Sequence, residues 1–162
     1  MITRRQGREW ALQLLAQFDL NPPLNLEADL EAFWEQQTQL ESEALANDER
    51  GADVALTVAD EADVQKLADI RAFAETRAKG VWSSHDEIDA RIEPLLSNWS
   101  LYRLGTIERS VLRLGVWELL NCPDIPPAIV VNESVDLAKF FSETKSGRFV
   151  NAVLDRFAKT LK

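Results

Sequence analysis

The segment from Thr106 to Leu120 constrains the fold more than any other part of the chain. Its apolar side chains are spread around most of a helical circumference: Ile107, Val111, Leu112, Leu114, Val116, Trp117, Leu119 and Leu120. A helix that is hydrophobic on nearly every side is normally buried against several others. The segment therefore predicts a helix at the centre of a bundle.

The rest of the chain supplies the surrounding helices. Glycine and proline number only six each, which makes the chain poor in β-turn residues. The pairs Thr3/Gln6 and Ser84/Glu87 have the spacing of capping boxes at helix starts. Apolar residues at helical spacing predict helices that begin at these two pairs and others over about 26–40, 64–80, 127–141 and 146–161. We predict an all-α fold of about seven helices, with Leu40 among the inward residues of the second.

The net charge is unevenly distributed along the chain. With 18 basic and 27 acidic residues, the net charge of −9 argues against a nucleic-acid partner when taken as an average. Residues 27–63, however, hold 12 of the acids and a single base, Arg50. The remainder has 17 bases against 15 acids, so a basic surface elsewhere is compatible with the sequence.

Few residues could support catalysis or hold a metal or cofactor. One cysteine (Cys122) and one histidine (His85) cannot form an internal disulfide or an ordinary zinc site. No glycine-rich phosphate loop is present, and the acidic pairs lack the apolar surroundings that would separate their pKa values. We expect a protein that is not an enzyme and that has no metal and no cofactor.

The sequence also predicts where the protein resides. No apolar run approaches the roughly 20 residues of a membrane span, and no signal-peptide pattern follows Met1. A single cysteine is consistent with a reducing compartment. We expect a soluble cytoplasmic protein.

Two segments are locally basic. One is the start of the first helix, where Arg4 and Arg8 project on the same side as the core stripe and Arg5 lies beside them. Because three arginines cannot be buried unpaired, we predict that this end overhangs the bundle. The other segment opens the last helix with Lys145, Arg148, Phe149 and Asn151.

Cations, an aromatic ring and an amide are the groups that bind single-stranded nucleic acid. Two simpler interpretations remain open at this point. The arginines could pair with the protein's own acids, and Phe149 could belong to the core.

Four segments, in the same order along the chain, resemble the NusB family of transcription antitermination factors. They are the arginine-rich stretch Arg4–Leu15, the helix Ile107–Leu120, the stretch from Asp124-Ile125-Pro126 to Val131–Lys139, and Phe149–Asp155. The resemblance implies an all-helical fold of two packed subdomains without catalysis. It also implies binding of boxA-type RNA in ribosomal RNA leader transcripts as a heterodimer with NusE, a small-subunit ribosomal protein, within the RNA polymerase antitermination complex.

The resemblance assigns roles to particular residues. The arginine-rich motif of the family binds RNA, which carries over to Arg4, Arg5 and Arg8. The segment before the last helix lies at the RNA as well, which carries over to four further residues: Lys145, Arg148, Phe149 and Asn151. Glu108 corresponds to a position at the NusE interface.

Some features depart from the family pattern. Ala152 stands where glycine is common, Ala16 where an aromatic can occur, and Gln6 where a further basic residue is expected. We predict one RNA-binding domain over residues 1–162, with the acidic 27–63 segment as a possible insertion. Two alternatives are a protein-interaction module, such as a homodimer, and a domain related to ribosomal RNA cytosine methyltransferases. The absence of a nucleotide-binding pattern counts against the second.

Overall fold

The computed structural model describes residues 3–47, 61–97 and 100–161, and over these residues the chain is helical without a strand. The helices are α1 (Arg4–Leu20), α2 (Leu26–Asn47), α3 (Glu61–Ser83), α4 (His85–Ile92), α5 (Thr106–Asn121), α6 (Pro127–Phe141) and α7 (Thr144–Thr160). Short 3-10 helices at Glu93–Leu95 and Leu101–Arg103 join α4 to α5. The predicted all-α fold of about seven helices is confirmed. Residues 48–60 of the acidic 27–63 segment lie outside the described residues.

Helix α5 is the central helix, as its apolar circumference predicts. It packs against α1, α3, α4, α6 and α7. Gly115 allows a close approach of α6 and α7, because a Cβ atom there would lie 2.7 Å from Leu154 Cδ1 on α7 and 3.0 Å from Ser134 Oγ on α6. The packing of α5 therefore brings the first and last thirds of the chain together.

The other helices form two packed groups around α5. Helix α1 lies along α3, while α6 lies along α7. Helix α2 contributes Leu30 and Phe33 to the core. Its second half leaves the core, since residues 38–43 are exposed and Leu40 has 51% of its surface accessible. The prediction that Leu40 points inward is therefore wrong. None of the helices described is both long and apolar enough to cross a membrane.

The two predicted capping boxes have different outcomes. Thr3 Oγ1 accepts a hydrogen bond of 3.3 Å from the Gln6 backbone N–H, so Thr3 is the N-cap of α1. The second prediction is wrong, because the Ser84 side chain caps nothing and donates to the Gly80 carbonyl oxygen at 2.7 Å. This backward bond is typical of a serine inside a helix, and α3 runs almost directly into α4.

A network of partly buried charges joins α1, α4 and α5. Arg109 donates to Asp19 and also to the carbonyl oxygens of Leu101 and Leu104, at 3.1 and 2.9 Å. Arg113 donates to Asp19 at 3.0 Å and to both carboxylate oxygens of Asp89 at 2.8 Å. The network fixes the C-terminal end of α1 to the first half of α5.

Candidate nucleic-acid interface

The three arginines at the start of α1 have different environments. Arg4 and Arg5 are exposed, whereas Arg8 is buried. Its guanidinium donates to both oxygens of Glu118 on α5, with Nε–Oε1 at 3.0 Å and Nη2–Oε2 at 2.9 Å. The prediction that all three arginines overhang the bundle is therefore wrong for Arg8. A buried partner, distant in sequence, neutralises its charge.

The same carboxylate holds a second buried arginine. Arg77 Nη2 on α3 lies 3.5 Å from Glu118 Oε2, and its guanidinium carbon lies 3.5 Å from the centre of the Phe73 ring. Burial lowers the pKa of Arg77, while the charge of Glu118 opposes this effect. We call Arg8, Arg77 and Glu118 the buried triad. It ties the first two turns of α1 to α3 and α5, and so sets where Arg4 and Arg5 project.

Arg5 is paired with acids of α6. Its guanidinium donates to Asp136 Oδ2 at 2.7 Å and to Glu133 Oε2 at 3.3 Å. The hydrogen bond and charge of Glu133 raise the pKa of Arg5, with a smaller contribution from Asp136. Arg5 nevertheless keeps 54% of its side chain accessible to solvent. Pairing with the protein's own acids, one of the two simpler interpretations, is thus observed for Arg5.

A groove lies between the start of α1 and the second half of α6. Its volume is about 370 Å³, and its lining is mostly charged: Arg5, Glu9, Glu133, Asp136, Leu137, Lys139 and Phe140. Phe140 is 74% exposed, which is unusual for so large an apolar side chain. The groove therefore combines an exposed ring with two cations.

The predicted residues at the start of α7 lie beyond Lys139. Lys145, Arg148 and Asn151 are exposed, and Phe149 is half-buried with part of its ring packed against the core. The Lys139 stem crosses Gly147, where a Cβ would lie 2.8 Å from Lys139 Cγ. Lys139 thus joins the groove to the start of α7.

Asn151 lines a separate groove between α6 and α7, which also contains Asn132 and Lys159. Within the described residues, the structure therefore connects Arg5 with the start of α7 through Lys139. It does not bring Asn151 into the first groove.

Glu108 holds the turn between α6 and α7 to the start of α5. Its Oε1 accepts hydrogen bonds from the hydroxyls of Ser142 and Ser146, each at 2.6 Å. Burial raises the pKa of Glu108, but these hydrogen bonds and one from its own backbone outweigh burial and hold the pKa below its usual value. The carboxylate is therefore ionised at neutral pH and half-exposed.

The single cysteine, Cys122, and the single histidine, His85, are in contact with neighbouring parts of the fold. Burial raises the pKa of the Cys122 thiol. The His85 ring stacks on Trp82 with 4.4 Å between ring centres, and its Nδ1 lies 2.5 Å from the Trp82 carbonyl oxygen. In the part of the chain that the structure describes, no group of three or more acidic, histidine or cysteine side chains could hold a metal ion.

The model of the NusB family matches residues 5–159. The chain belongs to the NusB family. A transcription antitermination protein NusB from Myxococcus xanthus is 39% identical over 161 residues, which cover 99% of this chain and 98% of the relative.

Two solved structures extend the match to the fold. T. maritima NusB has a TM-score of 0.71 at 30% identity, covering 98% of this chain and 92% of that one. A chain from a structure of the antitermination factors NusB and NusE in complex with dsRNA has a TM-score of 0.69 at 26% identity, covering 99% of each chain. The resemblance seen in the sequence is thereby confirmed at the level of family and fold.

Six of the seven residues that line the groove were not predicted as site residues from the sequence: Glu9, Glu133, Asp136, Leu137, Lys139 and Phe140. The sequence contains a pattern that predicts the exposure of one of these residues, Phe140. Phe140 and Phe141 are adjacent at the end of a helix, and neighbouring residues project about 100° apart. The ring that does not reach the core must then be exposed. Glu133 and Asp136 gave no such signal, because their partner Arg5 is more than 125 positions away.

Proposed function

We propose that this NusB-family protein is a non-catalytic transcription antitermination factor. Its residues 1–162 would act as one RNA-binding unit that recognises boxA-type RNA together with NusE, as part of the RNA polymerase antitermination complex. One observation carries the RNA assignment for this chain. Arg5 of α1 and Lys139 of α6 line one groove, and the Lys139 stem lies against Gly147 at the start of α7, where Lys145 and Arg148 are exposed. These helices thus present a surface with exposed cations, although the protein as a whole is acidic.

The residues of this surface have distinct roles in the proposal. Arg4, Arg5, Lys145 and Arg148 are exposed and would neutralise phosphates, aided by the unpaired N–H groups at the start of α7. The amide of Asn151 would contact a base edge, and the exposed part of Phe149 would contact an adjacent base.

Arg8 has a different role because its charge is already satisfied. The guanidinium is buried and paired with Glu118 inside the bundle, so it would act by positioning the start of α1 and not by touching RNA. This assignment separates Arg8 from Arg4 and Arg5, which the family motif groups together.

The variant Arg4→Ala/Arg5→Ala is expected to bind boxA-type single-stranded RNA about 10- to 100-fold more weakly in low salt. Each phosphate contact on single-stranded nucleic acid contributes roughly 0.7 to the slope of log affinity against log salt concentration, so the slope should fall by about 1.4. Fluorescence anisotropy titrations at several salt concentrations measure both quantities.

The matched control is Arg103→Ala, which removes an exposed arginine from the 3-10 helix before α5. The control should leave affinity and slope nearly unchanged. An unchanged salt slope in the double variant would contradict the assignment of α1 to RNA. Failure of the wild-type protein to bind the RNA with or without NusE would contradict the proposed function as a whole.

The variant Glu108→Ala is expected to weaken binding of NusE about 10- to 150-fold, since a lost charge-assisted hydrogen bond costs roughly 1.5–3 kcal/mol. Glu31→Ala, an exposed acid on α2, serves as the control. Isothermal titration calorimetry with purified NusE measures the affinity. Equal affinities for wild type and Glu108→Ala would remove Glu108 from the partner surface.

A further inference from the structure

The groove between α1 and α6 has no role in the proposed set of RNA contacts apart from Arg5. Five of its seven lining residues are charged, and only Leu137 and Phe140 are apolar. A hydrophobic peptide seated there would remove these charges from water without new partners, which is costly. The chemistry of the lining therefore favours a small ligand that is itself polar and charged.

Phe140 has the geometry of a stacking surface. Its ring contacts the half-buried Phe141 edge to face, with 4.9 Å between ring centres and 78° between ring planes. This contact holds the ring at the rim of the groove while 74% of the residue stays accessible. A ring that is held in place but exposed can receive a planar ligand with little further loss of side-chain freedom.

Two cations line the groove together with the ring. Arg5 and Lys139 line the same groove, and Lys139 continues to the start of α7. An exposed aromatic ring between phosphate-binding cations is the arrangement with which proteins bind unpaired nucleotides, because the base stacks while the flanking phosphates are neutralised.

We propose that the groove is a nucleotide subsite in which an unpaired base of the bound RNA stacks on Phe140 between Arg5 and Lys139. The inference rests on the proposed RNA-binding function and deepens it by adding a site for one base. It commits to single-stranded RNA as the occupant.

The carboxylates of the groove fit this occupant. Glu133 and Asp136 hold Arg5 at the groove through ion pairs whose partners are partly exposed to water, so breaking these pairs costs little. A released carboxylate can accept a hydrogen bond from an amino group of the stacked base. The acids therefore hold the Arg5 side chain at the groove before RNA binds, and they add polar contacts to the RNA base once it occupies the groove.

The test compares Phe140→Ala, Phe140→Trp and Tyr102→Ala in binding to boxA-type RNA that carries the fluorescent base 2-aminopurine at successive positions. Phe140→Ala should weaken binding about 5- to 100-fold, as the loss of one base–aromatic stack does. The salt slope should stay at the wild-type value, because no cation is lost. Phe140→Trp should restore affinity, and the wild type should quench the fluorescence at one position that Phe140→Ala leaves bright.

Tyr102 is 79% exposed and lies outside the groove, so Tyr102→Ala should match the wild type. If Phe140→Ala binds as tightly as the wild type and quenches at the same position, the subsite is refuted while the proposed function stands. If the wild type itself does not bind the RNA, the proposed function fails and the subsite with it. Circular dichroism and thermal melting check that the variants are folded.

Discussion

Replacing Glu118 by glutamine is expected to lower the free energy of unfolding by about 3–5 kcal/mol, because removing one partner of a buried ion pair leaves an uncompensated charge. Glu118 is only 2% exposed and is the acid of the buried triad. Glutamine keeps the shape of the side chain but leaves Arg8 and Arg77 facing each other without an anion. Urea unfolding followed by circular dichroism measures the change.

The control for this prediction is an ion pair at the surface. Asp155 and Lys159 on α7 are paired at 3.0 Å with 55% and 70% of their side chains exposed. Asp155→Asn should therefore change the unfolding free energy by only about 0–1 kcal/mol. A loss of less than about 1 kcal/mol in Glu118→Gln would mean that water or a rearranged partner compensates the arginines. The triad would then not fix α1.

The second large effect is expected for Asp19→Asn, at about 2–3 kcal/mol of unfolding free energy at neutral pH. Asp19 neutralises Arg109 and Arg113 at once. Its loss should cost less than that of Glu118, since Arg113 keeps Asp89 and Arg109 keeps two backbone carbonyls.

This second effect should depend on pH. Burial raises the pKa of Asp19, but the hydrogen bonds and charges of Arg109 and Arg113 outweigh burial and hold the pKa below its usual value. A carboxylate with a lowered pKa in the folded state stabilises the fold fully above its unfolded pKa of about 3.9, and this contribution disappears as the pH falls through the lower folded value.

Unfolding free energies of wild type and Asp19→Asn should accordingly differ most between about pH 6 and 8, and the difference should shrink progressively as the pH falls below about 4. Asp86→Asn is a suitable control, because Asp86 is 94% exposed and its partner is a histidine at 3.4 Å. A difference between wild type and Asp19→Asn that stays constant down to about pH 3 would contradict this role of the ionised Asp19, because Asp19 of the unfolded chain takes up a proton below about pH 3.9.

Sequence periodicity predicted α5 correctly because the property that places a helix at a centre is local. Its apolar residues recur on nearly every side, and no partner needs to be known. The same reasoning failed for Arg8. The premise that a buried arginine requires a partner is correct, but that partner is Glu118, 110 positions away. Periodicity carries no information about pairs of residues that are distant in sequence. It could therefore predict only that Arg8 is exposed.

The candidate interface shows the same limit. Arg4 and Arg5 were predicted at an exposed helix end, and the structure places them there. The groove beside Arg5 could not be predicted, since its second wall comes from α6 and depends on the crossing of two helices remote in sequence.

The capping prediction for Ser84 was wrong for a local reason. Within one turn, its hydroxyl can either donate to a backbone carbonyl or accept from a backbone N–H, and the spacing to Glu87 does not distinguish these two bonds.

Arg5, Lys139 and Arg148 belong to three different helices of a packed bundle. The distances between their backbone positions are therefore set by helix packing and adapt less to a ligand than those of loop residues could. A single strand of RNA has many rotatable bonds between successive phosphates. In the proposed complex the loss of conformational entropy would fall almost entirely on the RNA, and the protein would act as a rigid template whose spacing selects the strand conformations able to bind.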